Sequence, residues 1–271
     1  MRARLVVGLV LAGIVVAALV WRPWDKGPAY TDAQGARIVE FPLASRLLGQ
    51  TLHEVVVLPP RGAPRPPLLV LLHGRGSSSS QWLSDELFAE LARLGPRAPA
   101  LLIVAGGDHS YYHDREDGPW GSYVLREAIP AGLERARADP QRVAIGGISM
   151  GGFGALDLAR IAPRRFCAVG GHSPALWLSG GDTPPGAFDN AEDFARHDVI
   201  GAARTGKPLG QEPVWLDAGE SDPFLEATKE LGRLLHVRVH VSPGGHDRAY
   251  WRRHAAEYLR FYAGALARCG S

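Results

Sequence analysis

The sequence has only two cysteines, Cys167 and Cys269, in 271 residues. Two such residues make neither a metal-binding spacing nor a disulfide framework. Cys167 lies in an apolar run and reads as a small buried hydrophobe. An oxidising compartment would permit a Cys167–Cys269 bridge, but nothing in the sequence argues for one. The body of the chain carries no block of lysine and arginine, and the formal net charge is only +2. That balance excludes a nucleic-acid partner held by charge. No internal repeat occurs, so a solenoid is excluded. The one low-complexity run, Ser77 to Ser80, is too short to matter.

What the chain does have is apolar bulk. Hydrophobic residues make up 46%, enough for a sizeable core and too many for a disordered chain. The length suits one large α/β domain or two small ones.

Arg2 and Arg4 precede an uncharged apolar run from Leu5 to Trp21, followed by Trp21, Arg22 and Trp24 in the manner of an interfacial anchor. The run is a little short for a spanning helix and a little long for the core of a signal peptide. Residues 1–22 are read as an uncleaved membrane anchor, or alternatively as a signal cleaved near Val16-Ala17-Ala18. Either places the remainder outside the cytoplasm. Residues 23–36 are polar with proline and glycine and read as a linker. Residues 37–271 read as the globular domain.

Within that domain, Ile38–Phe41 and His53–Leu58 read as two strands, expected to pair antiparallel. The continuous apolar runs Leu68–Leu72 and Ala100–Ala105 have the pattern of strands buried on both faces. Further strands are expected at Arg142–Ile145, Phe166–Gly170, Val214–Asp217 and Val237–Val241. Helices are expected at Ser84–Leu94, Gly121–Ala136 with an interruption near Pro130, Phe153–Ile161, Pro223–Leu235 and Arg248–Leu266. Short apolar strands alternating with helices predict an α/β fold, a mostly parallel central sheet with helices on both faces.

The chain is organised around Gly147-Ile148-Ser149-Met150-Gly151-Gly152, between a strand and a helix. A G-x-S-x-G elbow puts its serine on a strained turn where larger flanking residues would clash. The Ser149 hydroxyl then projects at the carboxyl edge of the sheet. The Met150 N–H, at the helix N-terminus, faces developing negative charge.

A serine needs a base, and His246 is the best placed of ten histidines, after the last strand and before the closing helix. His240 inside a strand, His254 inside the closing helix and His236 at a helix end read as structural or solvent-facing. The acid should follow a strand between serine and histidine. Asp217, Glu220 and Asp222 all lie there. Asp217 reads as a local partner at the strand end. Asp222, just before Pro223, is either the orienting acid or a plain helix N-cap; the order Ser149, Asp222, His246 favours the first, with Glu220 as the fallback. A second oxyanion donor is expected from the loop after an earlier strand. In Leu72-His73-Gly74-Arg75, Gly74 permits close approach and would aim the Arg75 N–H at the site. His73 reads as a loop-shaping residue that could also border the cleft.

Asp108 to Asp114 holds two histidines and two aspartates, but in no zinc spacing. It reads as a loop lining the substrate cleft, and no metal or other cofactor is expected.

These stretches together resemble the esterase D family of α/β-hydrolases, which includes S-formylglutathione hydrolases, acetyl- and feruloyl-type esterases and mycolyltransferases. The matching pieces are Leu72-His73-Gly74, Tyr111-Tyr112 with Trp120 to Pro130, Gly146 to Leu156, Asp217 to Phe224, and Gly244-Gly245-His246-Asp247 with Tyr250-Trp251. The resemblance implies Ser149 as nucleophile, Asp222 as acid, His246 as base, and the Arg75 and Met150 N–H groups as oxyanion donors. His73, Tyr111, Tyr112 and Trp120 are the candidates for the substrate cleft. Trp177 to Lys207 matches nothing in the family and is expected to set specificity. The implied function is a serine hydrolase of small-molecule, glycan or lipid esters. The alternatives are transfer of the acyl group to a sugar or glycerol hydroxyl, and a binding module that has lost its chemistry.

Overall fold

The computed structural model describes residues 30–206, 209–210 and 212–269. The anchor or signal expected over residues 1–22 and the start of the linker lie outside the described residues. Among the described residues, no helix is long and apolar enough to cross a membrane.

The chain forms β1 (Arg37–Ser45), β2 (Gln50–Leu58), β3 (Leu68–Leu72), α1 (Asp85–Leu94) and β4 (Ala100–Val104). A helix then runs from Trp120–Tyr123 through a wider π-turn, Val124–Ala128, into Ile129–Ala136; the three parts together are α2. There follow β5 (Val143–Ile148), α3 (Met150–Ile161), β6 (Val169–His172), α4 (Ala191–His197), α5 (Val199–Arg204), β7 (Val214–Gly219), α6 (Leu225–Leu235), β8 (Val239–Ser242) and α7 (Arg248–Arg268).

The eight strands make one sheet in the order β1-β2-β4-β3-β5-β6-β7-β8. β1 and β2 pair antiparallel, as does β2 with β4, and every later pairing is parallel. All five residues of β3 are buried, because side chains alternate between two helical layers. Leu68, Val70 and Leu72 pack with residues such as Ile129 and Phe153 from α2 and α3. Leu69 and Leu71 pack with Phe88 and Leu91 of α1 and with Tyr258 and Tyr262 of α7. The carboxyl ends of β3, β5, β7 and β8 thereby open onto one edge, where loops can carry chemistry.

Local chemistry accounts for the places where element boundaries differ from expectation. The last strand begins at Val239 rather than Val237 because His236 sits in the left-handed region and the Val237 N–H closes back onto the Gly232 carbonyl at 2.9 Å. That is a Schellman ending of α6, and it takes Val237, the first residue the strand would have claimed. The interruption near Pro130 is the π-turn just before it. Proline offers no N–H and crowds the carbonyl four residues back, so the preceding turn widens.

Cys167 is not the free apolar filler the sequence suggested. It is disulfide-bonded to Cys269, with Cα atoms 5.7 Å apart, which fastens the end of α7 to the approach of β6.

Candidate active site

The β5–α3 turn holds Ser149 at φ 55° and ψ −115°. A side chain there costs roughly 1–3 kcal/mol and persists only where neighbours over-determine it. Here they do. The Ser149 N–H donates to the His172 carbonyl at 3.0 Å, and the Ser149 carbonyl accepts from Phe153 and Ala175, each at 3.0 Å. The flanking glycines are required by backbone approach. A Cβ on Gly147 would strike the Gly151 backbone, and one on Gly151 would strike the Leu72 carbonyl.

His246 lies in the loop between β8 and α7. Its Nε2 is 2.8 Å from the Ser149 hydroxyl, and its Nδ1 is 2.9 Å from Asp222 Oδ2. The loops carrying acid and base are tied together by Glu220 N–H to the Ser242 carbonyl and Ser221 N–H to the Gly244 carbonyl, both 2.9 Å. Asp222 is not a helix cap. α6 starts at Leu225 with Phe224 at the capping position, and Asp222 Oδ1 instead accepts the Phe224 N–H at 2.8 Å. One carboxylate oxygen thus fixes the acid's own turn while the other faces the imidazole. Burial alone would raise the Asp222 pKa. The hydrogen bond and charge of His246, with the Phe224 N–H and Ser173, outweigh it and hold the group below the usual carboxylate range.

The other two carboxylates go elsewhere. Glu220 is exposed, and its side chain pairs with none of the described residues. Asp217 is buried and accepts from His172 Nδ1 at 2.8 Å, Trp215 Nε1 at 2.9 Å and the Tyr258 hydroxyl at 2.8 Å. With its Nδ1 donating, His172 can accept from the Tyr262 hydroxyl at 2.9 Å through Nε2. This second His–Asp pair escaped the sequence reading. His172 and Asp217 meet only because β6 and β7 pair in that register. It lies directly behind the nucleophile, since the His172 carbonyl receives the Ser149 N–H.

At the oxyanion position, a Cβ on Gly74 would lie 3.5 Å from that of Ser149. The Gly74 N–H is held by Gln81 Oε1 at 2.6 Å. Among the described residues, neither the Arg75 N–H nor the Met150 N–H has an acceptor. The arrangement therefore offers a nucleophile, a base with a fixed tautomer, and two free donors beside them.

Three of the four cleft candidates turn inward as framework, and the fourth shows the cleft only an edge. His73 donates from Nδ1 to the Gly74 carbonyl at 2.9 Å and accepts the Gly106 N–H at Nε2 at 3.1 Å. Burial lowers its pKa, and neither ring nitrogen is left for catalysis. Tyr112 is fully buried and its hydroxyl bonds the backbone of His73. Trp120 is buried with its indole N–H on Asp117 at 3.2 Å. Tyr111 is 3% exposed, packed against Phe153, Trp177 and Phe188. The loop from Asp108 to Asp114 is divided: Ser110 to His113 turn inward, while Asp108, His109 and Asp114 stay exposed. His113 is buried against Asp193 at 3.1 Å, and Asp114 binds the Ser122 backbone and hydroxyl. The wall beside His246 is instead Phe224, with ring centres 5.1 Å apart, backed by Trp177. An aromatic residue two places after the acid was the signal for it. Elsewhere, His240 stacks on Trp215 and His254 pairs with Glu257.

Beneath the oxyanion loop, Glu54 is fully buried. It bonds the Tyr123 hydroxyl, and it accepts the Ala105 N–H at 3.0 Å. Burial lifts its pKa from 4.5 to about 7, against the pull of those two bonds. The folded state thus binds this proton more tightly than the unfolded chain does, so stability falls as pH rises from 4.5 towards 7. The loss should reach roughly 3 kcal/mol. Urea unfolding across that range should show the slope in the wild type and a flatter one in Glu54→Gln. Equal slopes would mean that Glu54 titrates normally.

The "Esterase" family model, described as "Putative esterase", matches residues 45–262. The chain is 31% identical over 174 residues to the iron(III) salmochelin esterase of Escherichia coli O6:H1, covering 59% of this chain and 42% of that protein. It is 27% identical over 180 residues to the S-formylglutathione hydrolase of Paracoccus denitrificans, covering 59% and 64%. It thus spans less than two thirds of either relative. An acetyl esterase of Caldicellulosiruptor saccharolyticus is 25% identical over 220 residues, covering 69% and 80%. Among solved structures, an S-formylglutathione hydrolase from Agrobacterium tumefaciens superposes with a TM-score of 0.71 at 20% identity, covering 87% of this chain and 98% of that one. A ferulic acid esterase gives 0.69 at 21% identity, covering 85% and 98%. At those identities the structural likeness establishes the fold.

Proposed function

The chain belongs to the esterase family, and from that premise we propose that it is a serine hydrolase cleaving carboxylic esters through an acyl-enzyme on Ser149. The observation that carries this reading is the line of hydrogen bonds from Asp222 through His246 to the Ser149 hydroxyl. With Nδ1–H donating to Asp222, the imidazole keeps a lone pair on Nε2 that faces the serine. As Ser149 Oγ attacks the ester carbonyl carbon, Nε2 takes its proton. The carbonyl oxygen becomes an oxyanion beside the Arg75 and Met150 N–H groups. Collapse breaks the bond to the alkoxide, which leaves as alcohol with the proton from His246. Water then attacks the acyl carbon, giving its proton to Nε2, and the acid departs as Ser149 is restored. Nothing in this sequence needs a cofactor.

A fluorophosphonate probe should label the folded wild-type chain at Ser149. A folded chain that resists the probe would remove the serine from the chemistry and favour a binding module.

The same proposal places the domain outside the cytoplasm. The Cys167–Cys269 bond supports an oxidising compartment, and the apolar run Leu5 to Trp21 supplies an anchor or a signal. Protease added to intact cells should reach the domain; complete protection until lysis would refute the placement.

A further inference from the structure

Ser149 sits inside a closed ring of contacts. His246 stands on one side of it, 2.8 Å away. The imidazole meets Phe224, and Phe224 meets Trp177 edge to face at 5.7 Å between ring centres. Trp177 meets Tyr111 at 5.7 Å. The Arg75 guanidinium lies close enough to the Tyr111 hydroxyl to pull its pKa down against the effect of burial. Arg75 follows Gly74, where an added Cβ would lie 3.5 Å from that of Ser149, and this approach closes the ring. Phe224 is half-buried, while Trp177 and Tyr111 show only an edge, so the rim is narrow and mostly aromatic.

The permanent cation on that rim is Arg75. It is exposed, and none of the described carboxylates pairs with it. Arg115, the other arginine felt by Tyr111, is by contrast matched by Asp189 at 2.9 Å. Burial raises the Tyr111 pKa above 10, with Arg75 pulling the other way. The phenol therefore stays protonated, and it stands beside the guanidinium without cancelling its charge. Tyr111 is itself held at φ 49° and the next residue, Tyr112, at φ 57°. Two successive left-handed residues of this size are strained, and the Tyr111 ring is held by Phe153, Trp177 and Phe188. Asp222, the one carboxylate of the triad, is buried behind His246. A planar fork of donors that no carboxylate of the described residues neutralises, carried one residue after the glycine beside Ser149, suits a carboxylate or another oxyanion.

We infer that Arg75 is a specificity-determining residue: its guanidinium receives an anionic group carried by the ester substrate, close to the carbonyl that Ser149 attacks. The inference rests on the esterase reading above. It does not require the anion to lie on the acyl side or the alcohol side, since both pass the same rim.

The test compares acids with their neutral methyl esters. p-Nitrophenyl hemiglutarate against p-nitrophenyl methyl glutarate puts the charge on the acyl side. 3-Acetoxybenzoate against its methyl ester puts it on the alcohol side. For one pair, the wild type should favour the acid by roughly 10- to 100-fold in kcat/KM, the range a hydrogen bond to a charged group supplies. The responding pair identifies the side. That preference should shrink towards unity in about 1 M salt, where the screening length is about 3 Å. It should be lost in Arg75→Gln and partly kept in Arg75→Lys. The Arg75 backbone N–H also borders the oxyanion position, so the ratio is read rather than either rate, and the salt series needs no variant at all. No preference for either acid, with neutral esters still turned over, would overturn this inference and leave the esterase reading standing. So would a preference that survives Arg75→Gln. Failure to hydrolyse any of the four esters would overturn both.

Discussion

Ser149→Ala should lower kcat for p-nitrophenyl ester hydrolysis by about 10⁶-fold, by analogy with the nucleophile of serine proteases. The size follows from the loss of the covalent route. Without Oγ, His246 has no nucleophile to deprotonate, and what remains is water attack helped by the oxyanion donors and substrate positioning. The fold should survive. The bonds that hold the strained turn are made by the backbone of residue 149, to His172, Phe153 and Ala175, and alanine keeps all three, losing only the hydroxyl's bond to His246. Alanine also has the same Cβ, so the strain at φ 55° is unchanged. Fluorophosphonate labelling should vanish with activity while thermal unfolding stays close to that of the wild type. Hydrolysis within tenfold of the wild type would show that another group attacks the ester.

Asp222→Asn is expected to cost about 10⁴-fold in kcat, again by analogy with serine proteases. The substitution preserves shape and inverts one hydrogen bond. Asparagine can keep its Oδ1 on the Phe224 N–H, so the turn before α6 stays intact. Its amide then points N–H groups at His246 Nδ1. To accept one, the ring must move its own proton to Nε2, where it faces Ser149 and blocks removal of the hydroxyl proton. KM should move little, because Asp222 is buried behind the imidazole. Glu220→Gln should be nearly silent, since Glu220 is exposed and unpaired among the described residues. Asp217→Asn is no silent control, because Asp217 accepts from His172, Trp215 and Tyr258 in the core. Near-normal activity in Asp222→Asn together with collapse in Glu220→Gln would reassign the acid.

The sequence was most legible where a single short stretch decides the structure. The run Leu68–Leu72 has to be a strand buried on both faces, and Gly147 to Gly151 cannot take larger residues without collision. It was least legible where two distant segments must be brought into register. Nothing local to Gly171-His172-Ser173 announces that His172 will meet Asp217 across neighbouring strands. The stretch from Asp108 to Arg115 misled in part, for a related reason. Its polar residues suggest an outward, ligand-facing surface, but His113 and Arg115 turn to Asp193 and Asp189 in the segment that the family resemblance left unmatched. Asp222 shows the middle case. Its neighbour Pro223 suggested a helix start, while the chain spends two more residues, Pro223 and Phe224, on a turn whose purpose appears only with His246 in place.

Cys269 is made 102 residues after its partner, Cys167. During synthesis, the segment carrying Ser149 is complete before that crosslink can close, while Asp222 and His246 lie within the loop it closes. An early Cys167 has no other thiol in the chain to mispair with, because the sequence contains only these two. Oxidation within one chain therefore has a single product. A cell making this protein has to supply an oxidant late in its folding, but it needs no isomerase to correct the pairing.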